Sequence, residues 1–594
     1  MYFFRLRGKK MKYILQQLTT YFKAHKLRYA IVFIFMVIAS AMYVAPIYIL
    51  RLFIDALIQD DFTMAILIRY VSLFAGAILL GYIAEFIWTF NLFIGSYDLQ
   101  KQLRQQLMKH FLNMGAPFYH RFRTGDLMTR SSDDVQVMGM TVGYGLMVFL
   151  NTSLYLSFIV AMMAITVSWV LTIIALIPMP LLAYYIFKWG SQVDKAFTEA
   201  QNSVSEMNSE VLEIIDGIRV VRAFGLEAAT TQQFQQKTTE TREKNDIVSE
   251  IDSRFGPLIT IILAISFVMS FGIGAFLVAN QQITIGAMVS FQVYLTMVVW
   301  PMISAGDLVN VMQQGAASWR RINEVLQTGD QLESTGQQLV PMIQTIEFSE
   351  YSFKYPNTER FVLQDVDLTI TKGEVLGIVG KTGSGKTSLL RQFGHRYPYS
   401  NQMPMINGQP LTAFQTEEIR RHFAEVPQEH TLFSRTIREN LLFGDPDASE
   451  ERLWQALSLA CFAEDIKRMP EGLETLVGEK GVSLSGGQKQ RLSLARAFLR
   501  RSDVLLLDDA LSAVDAKTEQ TIIANLKAMT DAPTSIIVTH RLSAITDADQ
   551  VIVLEEGHVI QRGTHQELIA VPGWYQEQYY HQQLKEDDQD VLND

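Results

Sequence analysis

Cysteine is almost missing from this chain: Cys461 stands alone among 594 residues. That excludes an intramolecular disulfide and any metal site built from several thiolates. Cys461 falls in LSLACFAEDI, a stretch with helical periodicity, and is expected to be a buried structural thiol. Charge is also scarce, at 19% of residues against about a quarter in soluble domains. The scarcity is local, because nearly all the long uncharged runs lie between about residues 28 and 310. Residues 1–28 contain no acid but carry Arg5, Arg7, Lys9, Lys10, Lys12, Lys23, Lys26 and Arg28. The first apolar run lacks a small-residue cleavage site behind it, and five more runs follow. A retained first helix is therefore expected rather than a cleaved signal peptide. The net charge is −10, the tail ends EDDQDVLND, and no internal repeat is visible. No nucleic-acid partner is expected.

What the chain has is six segments long enough to cross a bilayer core of about 30 Å: roughly 28–56, 66–94, 138–166, 169–189, 257–279 and 284–306. The connections near Asp60–Asp61, near Ser168 and across Asn280–Thr284 carry no Lys or Arg. Those of about 95–137 and 190–256 carry many, including Lys101, Arg104, Arg121, Arg123, Arg130, Arg219, Arg222 and Arg242. By the positive-inside rule the second set faces the cytoplasm, with both termini. Such connections are too long to lack structure. Residues 97–114 and 195–215 keep a helical apolar period, which predicts membrane helices continuing about 30 Å into the cytoplasm. The turning points are expected at GAPFYHRFRTG, Gly115–Gly125, and after Asp216–Gly217 in DGIRVVRAFG. The organisation expected is a basic N-terminus over 1–27, a six-helix membrane domain over 28–326, a linker over 327–343, an α/β nucleotide-binding domain over 344–580 and an acidic tail over 581–594. The two tips lie near 115–125 and 216–226.

The strongest chemical signal is GKTGSGKT, residues Gly380, Lys381, Thr382, Gly383, Ser384, Gly385, Lys386 and Thr387, with Ser388 next. It follows the apolar run VLGIVG and opens SLLRQF, the strand–loop–helix context a P-loop requires. Backbone N–H groups of such a loop curl around phosphate oxygens, Lys386 reaches the β- and γ-phosphates, and the Thr387 hydroxyl suits Mg²⁺. About 120 residues on, VLLLDD ends an apolar run on Asp508, where a second Mg²⁺ contact is expected. Between them, LSGGQ (Leu484, Ser485, Gly486, Gly487, Gln488) opens a basic helix whose N-terminus suits an anion. One nucleotide does not need two cradles in one monomer, so this second cradle is expected to serve a nucleotide held by another subunit.

Together these motifs make the chain resemble an ABC transporter of the exporter type, over nearly its whole length. The resemblance implies a six-span helical membrane domain with long cytoplasmic extensions, followed by an α/β P-loop ABC ATPase domain. It also implies ATP and Mg²⁺ as cofactors, a second half-transporter as partner, and the lipid bilayer as surroundings. Coupling helices are implied near Pro117–Phe122 and Gly217–Phe224. Tyr355 in FKYP matches the aromatic that stacks on adenine, and Gln428 in VPQ the glutamine that senses the γ-phosphate and Mg²⁺. Ser512–Asp515 (SAVD) matches the loop between the two sites, and His540 in VTHR the switch histidine.

One departure matters. Asp509 follows Asp508 where the family usually has a glutamate that orients the attacking water. Its carboxylate falls back by roughly 1–1.5 Å, and a displacement of about 1 Å in a catalytic group can cost on the order of a hundredfold in rate. The site is expected to bind ATP well and hydrolyse it poorly, resembling the degenerate half of bacterial heterodimeric multidrug exporters. A slow homodimer is the alternative. The implied cargo is a hydrophobic or cationic small molecule, exported across a bacterial plasma membrane. Lipid or peptide export, or a regulatory or channel subunit, are the alternatives. Methionines such as Met36, Met42, Met147, Met163 and Met297 suit a cavity for varied apolar ligands, although packing or lipid-facing roles suit each of them as well. The acids Glu85 and Asp307 lie in or near the spans, where acids are costly and often functional. Arg51 and Asp55, four apart, are expected to pair.

Overall fold

The computed structural model describes residues 21–58, 63–330, 332, 336–356, 358–399, 402–478, 481, 484–529 and 531–593, with 416 and 585–593 described by backbone alone. The basic residues of 1–20, the Asp60–Asp61 connection and the acidic side chains of the tail lie outside the described residues. The chain divides into two units: Met1–Leu112 with Thr124–Thr328, and Asn113–Arg123 with Gly329–Asp594.

Among its described residues the first unit has six long helices: α1 (Lys26–Ile58), α2 (Met64–Asn113), α3 (Thr124–Val167), α4 (Trp169–Asp216), α5 (Glu227–Ala279) and α6 (Ile285–Gln327). Each is long and apolar enough to cross a membrane. The 50 residues of α2 span about 75 Å, more than twice a bilayer core of about 30 Å. Where α4 and α5 become polar they hold each other by polar contacts. Ser203 and Thr241 share a hydrogen bond of 3.0 Å, and Lys237 reaches Glu206 at 2.5 Å. Among the described residues the apolar halves pack around Val44, Ile159, Leu171, Phe291 and Tyr294, and around Met36, Ala84, Trp88 and Leu92. Only 6% of the most apolar window of α2 is buried within the chain, so lipid or another chain must cover the rest.

Two local features bear on function. The third helix repeatedly opens into wider π turns, at Arg130–Asp134, Thr141–Gly145, Asn151–Tyr155 and Met163–Val167. Such turns re-aim side chains and cluster at functional places. Arg51 Nε lies 3.8 Å from Asp55, which also accepts from the Thr284 hydroxyl (2.8 Å) and the Gly286 N–H (2.9 Å). The carboxylate thus ties α1 to the start of α6.

The second unit is an α/β fold. Its larger sheet has the order β10-β9-β3-β8-β7-β6, from β3 (Val375–Gly380), β6 (Phe423–Val426), β7 (Val504–Asp508), β8 (Thr534–Val538), β9 (Gln550–Glu555) and β10 (His558–Gly563). All neighbours run parallel except β10. Every residue of β3, β7 and β8 is buried, the continuous apolar pattern of a parallel sheet covered on both faces. A smaller antiparallel sheet, order β2-β1-β4-β5, adds β1 (Thr345–Phe353), β2 (Leu363–Thr371), β4 (Met405–Ile406) and β5 (Gln409–Pro410). The helices α7 (Lys386–Phe393) and α8 (Gly486–Leu499) carry the two Gly-rich motifs at their starts.

The first expected tip lies in this unit. Its short helix, Ala116–Arg121, buries Pro117 and Phe118, and Phe122 follows at 4% exposure. The second tip, Ile218–Ala223, lies in the first unit, with Val220 and Phe224 exposed. Cys461 corrects an expectation. It lies beyond the helix Glu450–Leu459, in a left-handed turn at φ +53°, and is only partly buried. The helix closes there with the Cys461 N–H donating to the Ser458 carbonyl and the Phe462 N–H to the Leu457 carbonyl, and Phe462 is fully buried.

Candidate ATP site

The P-loop is built by the end of β3. Gly380 is at φ +145°, and a Cβ there would stand 2.1 Å from the Leu554 carbonyl oxygen. Gly385, the residue before α7, is at φ +105°, with the Val362 carbonyl 2.9 Å from its would-be Cβ. Both positions therefore demand glycine. The loop turns tightly enough that Lys386 Nζ donates to the carbonyls of Gly380 and Lys381, both at 2.9 Å. Burial pulls the Lys386 ammonium below its ordinary pKa, against the opposing pull of Asp508 and Asp509. Among the described residues the buried Ser384 hydroxyl has no hydrogen-bond partner.

Strand pairing assembles the remaining residues. Asp508 ends β7 opposite Val538, and the Asp509 N–H donates to the Val538 carbonyl at 2.8 Å. His540 follows two residues after Val538, so Asp509 and His540 come to one cavity of about 220 Å³. Thr382, Gly383, Gly385, Lys386, Thr387, Ser388, Gln428 and Asp508 also line it. The Thr387 hydroxyl donates to Asp508 Oδ1 at 3.1 Å. Burial raises the Asp508 carboxyl, and the Thr387 hydrogen bond opposes this most. A buried ammonium, an unpartnered hydroxyl and a paired oxygen set, at the carboxyl ends of parallel strands, fit a nucleotide phosphate chain with a hard divalent cation.

The other expected residues lie around this cavity. The Tyr355 hydroxyl bonds Ser388 Oγ at 2.9 Å, and its ring meets Phe353 and Tyr397 edge-on, each at 5.0 Å. Ser485, Gly486, Gly487 and Gln488 do not line the cavity. Ser485 caps α8 in a reciprocal box with Gln488 and is exposed with Gly486. A Cβ on Gly487 would stand 2.9 Å from the Ala513 carbonyl, so the signature turn packs against the SAVD loop. Glu85 and Asp307 are not brought together. Asp307 lines a cleft of about 300 Å³ with Asp194 and Asp252, and Glu85 lies on another cavity.

Sequence reading passed over three residues. Gln490, fully buried on α8, donates to the Asp509 carbonyl at 3.2 Å and accepts from the Ala513 N–H at 2.8 Å. Arg541 donates to the carbonyls of Ser512 and Val514 and to Glu519. Gln582 donates to the His540 carbonyl at 2.8 Å. Each acts from side chain to main chain across the fold, which leaves no periodic trace.

Residues 29–302 match the ABC transporter transmembrane region, and residues 363–512 match the ABC transporter family. A Bacillus subtilis protein described as a probable multidrug resistance ABC transporter ATP-binding/permease protein, YheI, is 41% identical over 96% of this chain and 98% of its own. This chain is an ABC exporter. The multidrug resistance-like ATP-binding protein MdlA of Escherichia coli is 34% identical over 96% of this exporter and 96% of its own length. A bacterial Atm1-family ABC exporter solved with ATP bound superposes with a TM-score of 0.80 at 21% identity, covering 93% and 99% of the two chains. That likeness speaks for the fold. The exporter is thus a multi-pass membrane protein whose ATPase domain couples ATP to transport, and exporters of this family act as dimers.

Proposed function

We propose that this exporter is the catalytically weak half of a heterodimer that moves hydrophobic or amphipathic compounds out across a bacterial plasma membrane, both termini cytoplasmic. The observation that carries the reading is the main chain of Asp509. It is clamped from both sides, by the Val538 carbonyl on its N–H and by Gln490 on its carbonyl, at φ +49°. The backbone therefore cannot advance to make up the missing methylene, and the carboxylate falls short of where a glutamate would hold the attacking water.

In this reading Lys386 and the P-loop N–H groups bind the phosphates, Thr387, Asp508 and Gln428 hold Mg²⁺, Tyr355 stacks on the base and His540 meets the γ-phosphate. The cation, when bound, neutralises charge developing on the transferred phosphoryl group. Ser485 and Gly486 are exposed, as a cradle for a nucleotide on another subunit must be. Ser485 to Gln488 serve the partner's site, which carries most of the turnover. The multidrug descriptions of the B. subtilis and E. coli relatives support a drug-like cargo. The experiment is ATPase activity of the chain with its native partner, comparing Asp509→Glu with the wild type. A gain supports the reading, and no change argues against a weak native site.

A further inference from the structure

Glu85 plays no part in the ATP site, yet it lies within α2 on a cavity of about 400 Å³ walled by α1, α2, α3 and α6. The Trp88 indole N–H and the Tyr155 hydroxyl both donate to its Oε2, each at 2.9 Å. Among the described residues no donor reaches Oε1. Tyr155 comes from the wide turn Asn151–Tyr155 of α3, and Tyr43 of α1 stacks on it at 5.0 Å and 12°. Tyr82 and Trp300 complete an aromatic wall and keep most of their ring surface open, at 72% and 75% exposure.

The charge of this wall is uncompensated. Among the described residues no Lys, Arg or His lines the cavity, and the two hydrogen bonds orient the Glu85 carboxyl group without pairing it with a cation. Other electron-rich groups join it. Asn151 Oδ1 is buried and has no partner among the described residues. Pro46 and Pro301 withhold the helical N–H from the carbonyls of Met42 and Met297, and all four residues line the cavity. Aromatic faces and a carboxylate in a water-poor span attract the same kind of ligand, a cation on an apolar body.

We propose that this cavity is where the exporter recognises charge. It takes an organic cation, a protonated amine or a quaternary ammonium borne on an aromatic body, with Glu85 as counter-ion and Tyr43, Tyr82 and Trp300 as its faces. The proposal rests on the reading that the chain exports hydrophobic compounds. The test uses everted membrane vesicles from the source organism, in which the chain keeps its own partner. ATP-dependent uptake of ethidium, a cation, is compared with that of Nile red, which is neutral. Glu85→Gln keeps an acceptor for Trp88 and Tyr155 and should lower ethidium uptake about tenfold, with Nile red within twofold. Tyr155→Phe, which keeps the charge but loosens it, should fall between. Equal losses for both dyes, or unchanged ethidium uptake in Glu85→Gln, overturn the site while export of hydrophobic compounds stands. If deleting the chain alters uptake of neither dye, the export reading and the site fall together.

Discussion

His120 Nε2, on the first tip, lies 2.7 Å from the hydroxyl of Tyr397. Tyr397 in turn meets Tyr355 edge-on at 5.0 Å and 88°, and the Tyr355 hydroxyl holds Ser388 at the head of α7. The tip is thus wired to the P-loop helix through two tyrosines. His120→Ala or Tyr397→Phe should lower substrate-stimulated ATPase several-fold while ATP affinity changes by less than about threefold, since a single neutral hydrogen bond contributes about 1 kcal/mol. Parallel nucleotide-binding and stimulation curves check this. Equal loss of basal and stimulated activity would remove the tip from coupling.

Lys386 lines the cavity proposed to hold the phosphates, and its ammonium bridges two loop carbonyls. Lys386→Ala should weaken photolabelling of this chain by an ATP analogue at least tenfold, with the membrane helices still folded by circular dichroism. Chelation of divalent cations should weaken labelling as well, through Thr387 and Asp508. Unchanged labelling would contradict the site.

A buried imidazole sets an acid limit on the ATPase unit. His395 is 3% exposed, stacks on Tyr399 at 4.8 Å, and burial holds its pKa down at about 4 against an ordinary 6.5. The unfolded chain takes up the proton first. Stability is therefore full above about pH 6.5 and falls towards pH 4, by up to about 3 kcal/mol. His395 sits at φ +49°, which asparagine tolerates. His395→Asn should flatten the fall in melting temperature between pH 7 and 5. An unchanged slope would mean that other groups set it.

The spans and the P-loop were legible because each imposes a pattern on consecutive residues: uncharged length for α1 to α6, and glycine where Gly380 and Gly385 take positive φ. Asp508 was legible from the strand that ends on it. The rest depends on residues far apart in the chain. Nothing near Gln490 announces that it clamps Asp509, and nothing near His120 points to Tyr397, 277 residues on. Cys461 looked helical because the periodicity of Glu450–Leu459 runs on past the helix end, where the chain turns left-handed. The wide turns of α3 leave the apolar pattern of the span intact and so leave no mark in it.

The most direct test of the asymmetric account is the steady-state ATPase activity of the exporter purified with its native partner, measured for Asp509→Ala beside Ser485→Arg. Ser485 heads the exposed signature turn, and Asp509 lies at the chain's own cavity. The account predicts that Asp509→Ala keeps most of the activity, whereas Ser485→Arg loses nearly all of it by blocking the partner's site. A homodimer of this chain with fast, drug-stimulated hydrolysis that disappears in Asp509→Ala would contradict it and make the chain a symmetric exporter.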